Sequence, residues 1–157
     1  MEKADTLIPM KIGGLMFDPY HDICVLMLSG TERPLFFPIL IDKTNAYSIG
    51  LTLQGVLTPR PLTHDLMKSV LDTLNAKVIS IVISDLRKEA AYSSRIHLYY
   101  RDSEYAIPAP YGDAISIALR ADAPIFISEH TIKQRSADAL DQWLEQLKPE
   151  DFGKYNA

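Results

Sequence analysis

Cysteine is nearly absent from this chain, and long apolar runs are absent altogether. The one cysteine, Cys24, cannot form an internal disulfide, so nothing points to an oxidising compartment. It lies in the apolar run 23–28 with no adjacent Lys, Arg or His, which predicts a buried and unreactive thiol. No apolar stretch approaches the ~20 residues that a membrane helix needs, and no signal-peptide core follows the acidic start. We therefore expect a cytoplasmic protein that does not interact with membranes.

Positive charge is not in excess either. The 16 Lys and Arg residues are outnumbered by 20 Asp and Glu residues, which gives a formal net charge of −4. The isoelectric point is near 5.5. A general nucleic-acid-binding protein usually has a basic surface. Any phosphate-binding function of this chain must therefore rest on a local basic patch.

Standard catalytic and cofactor motifs are also missing. The chain contains no G-x-G-x-x-G, no P-loop, no G-x-S-x-G, no H-E-x-x-H and no C-x-x-C. This absence predicts no organic cofactor. What remains is a polar cluster around a loop that two prolines stiffen, residues 58–65.

The chain is long enough for one packed domain. With 157 residues it buries roughly 70% of the surface that it exposes when unfolded, and its 47% hydrophobic content is ordinary for a globular protein. Apolar runs between turn residues predict strands, and apolar residues at helical spacing predict helices. The predicted strands are 11–17, 23–28, 35–41, 77–84, 91–101, 104–107 and 124–128. The predicted helices are 43–54, about 63–74, a segment marked by 114–119, and one in the tail from 136.

The order of these elements indicates the fold class. Strands and helices do not alternate strictly, which predicts an α+β fold, a single domain with a mixed, mainly antiparallel sheet and helices packed on it. The pair Gly13-Gly14 predicts a bulge in the first strand. Residues 1–9 are predicted to be an N-terminal lead-in, 10–135 the domain, and 136–157 a C-terminal helix and tail.

The ends of the first two helices carry recognisable capping residues. Asp42 is a predicted N-cap and Gly55 a predicted C-cap. Thr63 is the predicted N-cap of the second helix, where Leu62 and Met67 would form a hydrophobic staple. The apolar face predicted for that helix consists of Leu66, Met67, Val70, Leu71 and Leu74.

The loop before the second helix is the first candidate site. Arg60 precedes a helix start, whose free amides favour an anion, and its guanidinium suits phosphate. His64 and Lys68 are spaced i, i+4, so they can extend a cationic spot along one side of the helix. A structural interpretation is equally concrete, since Thr63 could only cap, Asp65 could only offset the helix dipole, and Arg60 could pair with a carboxylate.

Two further acids follow at element ends. Asp85 comes directly after the predicted central strand, where a carboxylate can hold a metal or act as a base. The alternative for Asp85 is an ion pair with Arg87. Asp113 starts the third helix, where it can be catalytic or can simply stabilise the helix start.

The same segments resemble a known family. Leu-Gln-Gly at 53–55 and Pro-Arg-Pro-Leu-Thr-His-Asp-Leu at 59–66 resemble the signature of the bifunctional nuclease domain family. Residues 76–86, 113–129 and 143–153 are similar to that family's central strand, to its third helix with the last strand, and to the tail of many members. The resemblance covers about residues 10–153. It implies an α+β domain, an oligomer, and activity on DNA and RNA as reported for some members.

The chain also departs from the pattern of that family at several positions. Members usually carry Gly and then Glu-Ala where this chain has Asp42 and Asn45-Ala46. They usually read Asp-Ala-Arg-Pro-Ser-Asp-Ala where this chain reads Pro-Ala-Pro-Tyr-Gly-Asp-Ala. The departures in this second segment are at Pro108, Pro110 and Gly112.

The leading hypothesis is a nuclease-like domain that hydrolyses phosphodiester bonds of DNA or RNA with Mg²⁺ or Mn²⁺. Arg60, Thr63 and Lys68 would bind phosphate, and His64 would be the general acid or base. The acids Asp65, Asp85 and Asp113 would bind metal or orient water. The sequence predicts that this site forms one pocket and that the protein is a homo-oligomer. The rival hypotheses are a catalytically silent regulatory module and a phosphate- or nucleotide-binding module of the same fold.

Overall fold

The fold is built on one mixed β-sheet. The structure is a computed structural model that describes residues 5–18, 22–84 and 93–133. Its strands are β1 Leu7–Asp18, β2 Ile23–Gly30, β3 Phe36–Ile41, β4 Lys77–Ile83, β5 Ser93–Tyr100, β6 Ser103–Pro110 and β7 Ile125–Ser128. Their order across the sheet is β3-β2-β1-β7-β4-β5-β6. Only the β4–β7 pair is parallel in this part of the chain. The predicted α+β class and mainly antiparallel sheet are confirmed.

The helices in the described ranges are α1 Lys43–Leu53, α2 Thr63–Thr73, α3 Tyr111–Ala121 and the short α4 Glu129–Lys133. Helix α3 packs on β4, β5 and β6, while α1 and α2 both pack against α3. The main core lies between these helices and the sheet, with Leu26, Ile81 and Ile115 fully buried. None of these helices is long and apolar enough to cross a membrane.

The first strand begins earlier than the sequence predicts. Leu7 pairs with Ser128 and Met10 with Ile125, so residues 7–9 belong to the sheet and not to a lead-in. The reason is that Ile8 and Met10 are buried on alternate positions, a pattern too short to be recognised next to Pro9. The bulge predicted at Gly13-Gly14 is confirmed, because the register of β1 and β2 shifts between Ile12 and Gly14.

The C-terminal end of strand β6 differs from the sequence prediction. It extends to Pro110, whereas the predicted strand stopped at residue 107. Proline lacks a backbone N–H and usually interrupts a sheet, but it is tolerated on an edge strand. Because β6 is an edge strand, Pro108 and Pro110 both remain in it. Helix α3 therefore starts directly after the strand, at Tyr111.

The two helix starts differ in how well the sequence predicts them. The Asp42 side chain accepts a hydrogen bond from the Asn45 amide at 2.9 Å, so the predicted cap is confirmed. The C-cap of α1 is Gln54, so the C-cap predicted at Gly55 is wrong by one residue, and Gly55 follows it with φ +66°. The predicted N-cap Thr63 is wrong, since Thr63 is the first helical residue and Leu62 occupies the cap position. The Asp65 carboxylate accepts from the Leu62 amide at 2.8 Å instead.

Cys24 is free and buried, as the sequence predicts. Desolvation by burial raises the pKa of the Cys24 thiol, which keeps it in the unreactive protonated form. Asp85 and the predicted C-terminal helix and tail, residues 136–157, lie outside the described residues.

Candidate functional site

The start of α2 places His64 between two other helices. Its imidazole is buried, with 5% of the residue exposed. The Nδ1 atom lies 2.9 Å from the Ser48 Oγ of α1. The Nε2 atom lies 2.8 Å from Asp113 Oδ1 at the start of α3. Both ring nitrogens of His64 are therefore occupied by protein groups.

Arg120, in the last turn of α3, connects this histidine to Asp65. Its Nε donates to Asp65 Oδ1 at 2.7 Å, and its Nη2 donates to Ser48 Oγ at 3.0 Å. A third donor, Nη1, reaches the Ser116 carbonyl at 3.1 Å. The Arg120 side chain is only 7% exposed. The hydrogen bond from Arg120, followed by that from the Leu62 amide, lowers the pKa of Asp65.

The hydrogen bonds of this cluster have a defined direction. A guanidinium only donates, so Ser48 Oγ accepts from Arg120 and its own hydrogen is available for His64 Nδ1. His64 Nε2 then carries a hydrogen, which it donates to the Asp113 carboxylate. This assignment follows from the donor and acceptor types of the groups. This hydrogen-bond network runs from the buried Arg120 guanidinium through Ser48 and His64 to Asp113, whose side chain is 41% exposed.

The N-terminal ends of α1, α2 and α3 meet near Asp113. Asn45 in the first turn of α1 contacts Gly112 in the first turn of α3. His64 in the first turn of α2 contacts Asp113 of α3. Each helix start carries a partial positive charge and amides without intrahelical partners. The junction therefore brings three helix starts around the Asp113 carboxylate, and the exposed Asp42 carboxylate caps α1 at the same place.

Several positions where the chain departs from the family pattern cluster at this junction. Asp42 caps α1 and accepts from the Asn45 Nδ2 at 2.6 Å. Asn45 is buried, and its Oδ1 has no hydrogen-bond partner among the described residues. A Cβ atom added to Gly112 would lie 2.7 Å from Asn45 Nδ2. The residues at 45 and 112 are thus sterically coupled.

Replacing Gly112 by alanine is expected to destabilise the domain by about 1–3 kcal/mol, because a new methyl group must displace a buried amide that Asp42 holds. Helix propensity alone would favour alanine by up to ~1 kcal/mol. Urea unfolding of Gly112→Ala, Asn45→Ala and the double variant measures the coupling. We expect Asn45→Ala to relieve at least ~1 kcal/mol of the cost. A stabilised single Gly112→Ala variant would contradict the steric argument.

A cleft opens on the other side of Asp65. It has a volume of about 470 Å³ and lies between α1, the loop 55–62, and α2. Apolar residues such as Leu51, Val56 and Leu57 form one wall, and Asp65, Lys68 and Arg120 contribute polar groups. A cavity of this size is large enough for one small ligand.

The predicted phosphate-binding residues do not gather into one cationic patch. Arg60 and Thr63 are exposed at the loop, next to the start of α2. Lys68 lies at the cleft and pairs with Asp72 at 2.5 Å. His64 is buried behind them. The sequence prediction that these residues form one cationic patch is therefore wrong. Successive residues of α2 point in different directions and contact different neighbours.

The predicted acids are also divided. Asp65 faces the cleft, whereas Asp113 is reached through the imidazole of His64. The expectation that all candidate residues line one pocket is thus wrong for those that the structure describes. His64, Asp65 and Asp113 nevertheless belong to one hydrogen-bonded cluster through Ser48 and Arg120. Sequence reasoning missed these last two residues. The i, i+7 spacing of Asp113 and Arg120, on one face of an amphipathic helix, was the available signal for Arg120.

Metal-ligating side chains do not converge within ranges 5–18, 22–84 and 93–133. No group of three His, Cys, Asp or Glu side chains there could hold a metal ion. Asp65 is bonded to Arg120, and His64 is bonded at both nitrogens.

Comparison with known proteins agrees with this architecture. The family model of the bifunctional nuclease domain matches residues 25–139, so the chain belongs to the bifunctional nuclease domain family. The match includes all three helix starts of the junction. Two uncharacterized proteins of Mycobacterium tuberculosis, from strains CDC 1551 / Oshkosh and H37Rv, are each 30% identical to this chain over 162 residues. The alignments cover 91% of this chain and 96% of each relative.

Proposed function

We propose that this domain is a nuclease that hydrolyses phosphodiester bonds of DNA or RNA at the junction of α1, α2 and α3. The observation that carries the proposal is the half-exposed Asp113 carboxylate, fixed by His64 where three helix starts meet. Family membership supports the same function. We expect the protein to act in the cytoplasm, and the free Cys24 is compatible with a reducing compartment.

The substrate phosphate would bind against the helix starts. Backbone amides at a helix start bind anions, and each helix contributes roughly 0.3–1 kcal/mol of favourable dipole interaction. Exposed Arg60 lies two residues before the α2 cap and can reach a neighbouring phosphate of the same strand with its planar guanidinium. Asp113 repels the phosphate at close range, so a water molecule between the two is the favoured arrangement.

Asp113 would act on that water. The carboxylate accepts a proton as the water oxygen forms a bond to phosphorus. The P–O bond to one sugar then breaks, and its oxygen takes a proton from solvent. The products are a phosphate monoester and an alcohol, so the reaction as written requires no organic cofactor. Asp113 is the catalytic residue of this proposal.

His64 is a positioning residue in this proposal. Its Nε2–H holds one oxygen of Asp113 and leaves the other oxygen for water. The general acid or base role predicted for His64 would require the release of Ser48 or Asp113 from the ring. Asp65 would act through Arg120, which it keeps in place beside Ser48.

The reaction as written uses only a water molecule and residues of this chain. The dependence on Mg²⁺ or Mn²⁺ predicted from the sequence stays a prediction. Assays with each cation and with a chelator test it directly.

A second function is favoured by one observation, the 470 Å³ cleft beside Lys68 and Arg120. A cavity with an apolar wall and cationic groups suits a nucleotide. In this alternative the domain binds a nucleotide and does not cleave nucleic acid. The departures at Asn45 and Gly112 are compatible with this alternative, since they alter the junction and leave the cleft intact.

The experiment is cleavage of single-stranded DNA, RNA and plasmid by purified protein over a range of salt. We expect weak cleavage that falls steeply with salt, because phosphate contacts release counterions. Arg60→Ala should weaken binding and reduce the slope of log affinity against log salt by about 0.7–0.9. Lys11→Ala is the matched control, since it removes an exposed cation from β1, away from the junction.

Two results would overturn the nuclease proposal. One is cleavage that survives equally in Arg60→Ala and in a variant of Asp113, which would indicate a contaminant. The other is no cleavage by the wild type under any cation condition. If a nucleotide then raises the melting temperature and Lys68→Ala abolishes that shift, the domain is a binding module that uses the cleft.

A further inference from the structure

Helix α2 exposes most of its apolar face. The sequence predicts a stripe of five residues packed on the core, but only Leu71 packs there. Leu66, Met67, Val70 and Leu74 are each 41–59% exposed. An amphipathic helix is normally stabilised by burial of this face. The exposed stripe therefore lacks a covering surface within the described part of the chain.

An apolar groove runs beside this stripe. Between α2 and the outer strands β5 and β6 it has a volume of about 310 Å³, and it continues past Leu71 into a second depression of about 370 Å³. Tyr105 and Ile107 of the edge strand form its far wall and are half-exposed. The lining residues in the described ranges include no charged side chain. Nucleic acid, which requires cationic contacts, does not suit this surface.

The size of this surface matches half of a dimer interface. Six large side chains on this face are 41–59% exposed, so together they form an apolar patch on the order of 500 Å². A stable interface buries about 800 Å² on each partner, and about 65% of a homodimer interface is apolar. The apolar area that such an interface needs is therefore already present on one copy.

The shape and charge of the surface favour a second copy of this chain over another partner. A ridge, the exposed stripe of α2, lies directly beside a groove on the same face. A two-fold axis between them places the ridge of each copy in the groove of the other, which is an isologous contact. Near such an axis every charge would meet its own copy, so the uncharged lining is the composition that self-association requires.

Strand pairing across β6 does not offer the same solution. Pro108 and Pro110 lack amide hydrogens, so half of this edge cannot continue the sheet into a neighbour. Side-chain packing over the groove remains available. We propose that two copies of the chain associate through α2, β5 and β6, with the Leu66–Val70–Leu74 ridge of each copy in the groove of the other.

Sedimentation equilibrium from 1 to 100 μM tests the proposal. We expect the wild type to reach twice the 17.6 kDa mass of the single chain. Val70→Asp should raise the dimer dissociation constant at least ~100-fold, because it places two carboxylates at the apolar contact. Tyr47→Asp is the matched control, since Tyr47 is an exposed apolar residue on α1, outside the groove. Its dimerisation should be unchanged.

A second measurement locates the contact without a destabilising charge. Cys24 is buried, so a cysteine introduced on the surface is the accessible thiol among the described residues. Val70→Cys should crosslink two chains with a short bis-maleimide, while Tyr47→Cys should not. A wild type that stays monomeric at 100 μM would overturn the proposal. A dimer that Val70→Asp leaves intact, or that Tyr47→Cys crosslinks instead, would overturn it as well.

Discussion

Asp65→Ala is expected to destabilise the domain by about 1–3 kcal/mol, between the values for exposed and for buried ion pairs, and to lower its melting temperature by roughly 3–10 °C. In the wild type the Arg120 side chain is 7% exposed and the Asp65 side chain 39% exposed, and the substitution removes the counter-charge of Arg120. A buried cation that loses its partner retains the full penalty of its desolvation. The Leu62 amide loses its acceptor in the same variant, which adds to the loss.

The matched control lies on the same helix. Asp72→Ala breaks the Lys68–Asp72 pair, whose acid is 60% exposed, and should change stability by at most about 0.5 kcal/mol. Thermal and urea unfolding compare the two variants. Equal losses in both would show that Asp65 contributes no more than an exposed surface pair.

The wild type should lose the same contribution in acid. The pKa of Asp65 is lower in the folded state than its ordinary value of 3.8. A lowered carboxylate pKa stabilises the fold above the unfolded pKa, and this stabilisation is lost as pH falls from about 4 towards the folded value. The stability difference between wild type and Asp65→Ala should therefore narrow below pH 4.

Asp113→Asn is expected to reduce cleavage by roughly 10²-fold or more while the fold stays intact. Asparagine keeps an oxygen that can accept from His64 Nε2–H, so the hydrogen-bonded cluster is preserved. The amide cannot take a proton from water. Rates under saturating substrate, together with unfolding curves, separate lost chemistry from lost structure.

His64→Gln provides a second comparison for the same prediction. If His64 positions Asp113, this variant should retain part of the activity, because the glutamine amide can donate to Asp113 as the imidazole does. If His64 itself transfers the proton, His64→Gln should reduce cleavage as much as Asp113→Asn does. If Asp113→Asn cleaves at the wild-type rate, Asp113 does not act in the catalytic step.

Much of the fold was predictable because its signals are local. The bulge at Gly13-Gly14 and the cap at Asp42 depend on a few residues each, so the sequence displays them directly. The edge position of β6 is a property of the whole sheet, which is why the predicted strand stops at residue 107, before Pro108 and Pro110.

The candidate site was only partly predictable for a related reason. His64, Asp65 and Asp113 stood out as polar residues at helix starts. Ser48 and Arg120 lie within helices at positions that look ordinary in sequence, and only packing against α2 gives them a role. The apolar stripe of α2 was predicted correctly as a pattern, but a periodic pattern does not indicate whether the same chain or another one covers it.

The position of β7 has a consequence for the order in which this protein can fold. Strands β1–β3 form one meander, and β4–β6 form another, each joined by antiparallel neighbours. In the described part of the sheet, the two meanders are joined by the four residues of β7, which pairs with β1 on one side and with β4 on the other. During synthesis, the halves can collapse separately, but residues 125–128 must leave the ribosome before the sheet can close. Until then β1 and β4 both expose unpaired edges, and this interval is when the nascent chain is most vulnerable to aggregation.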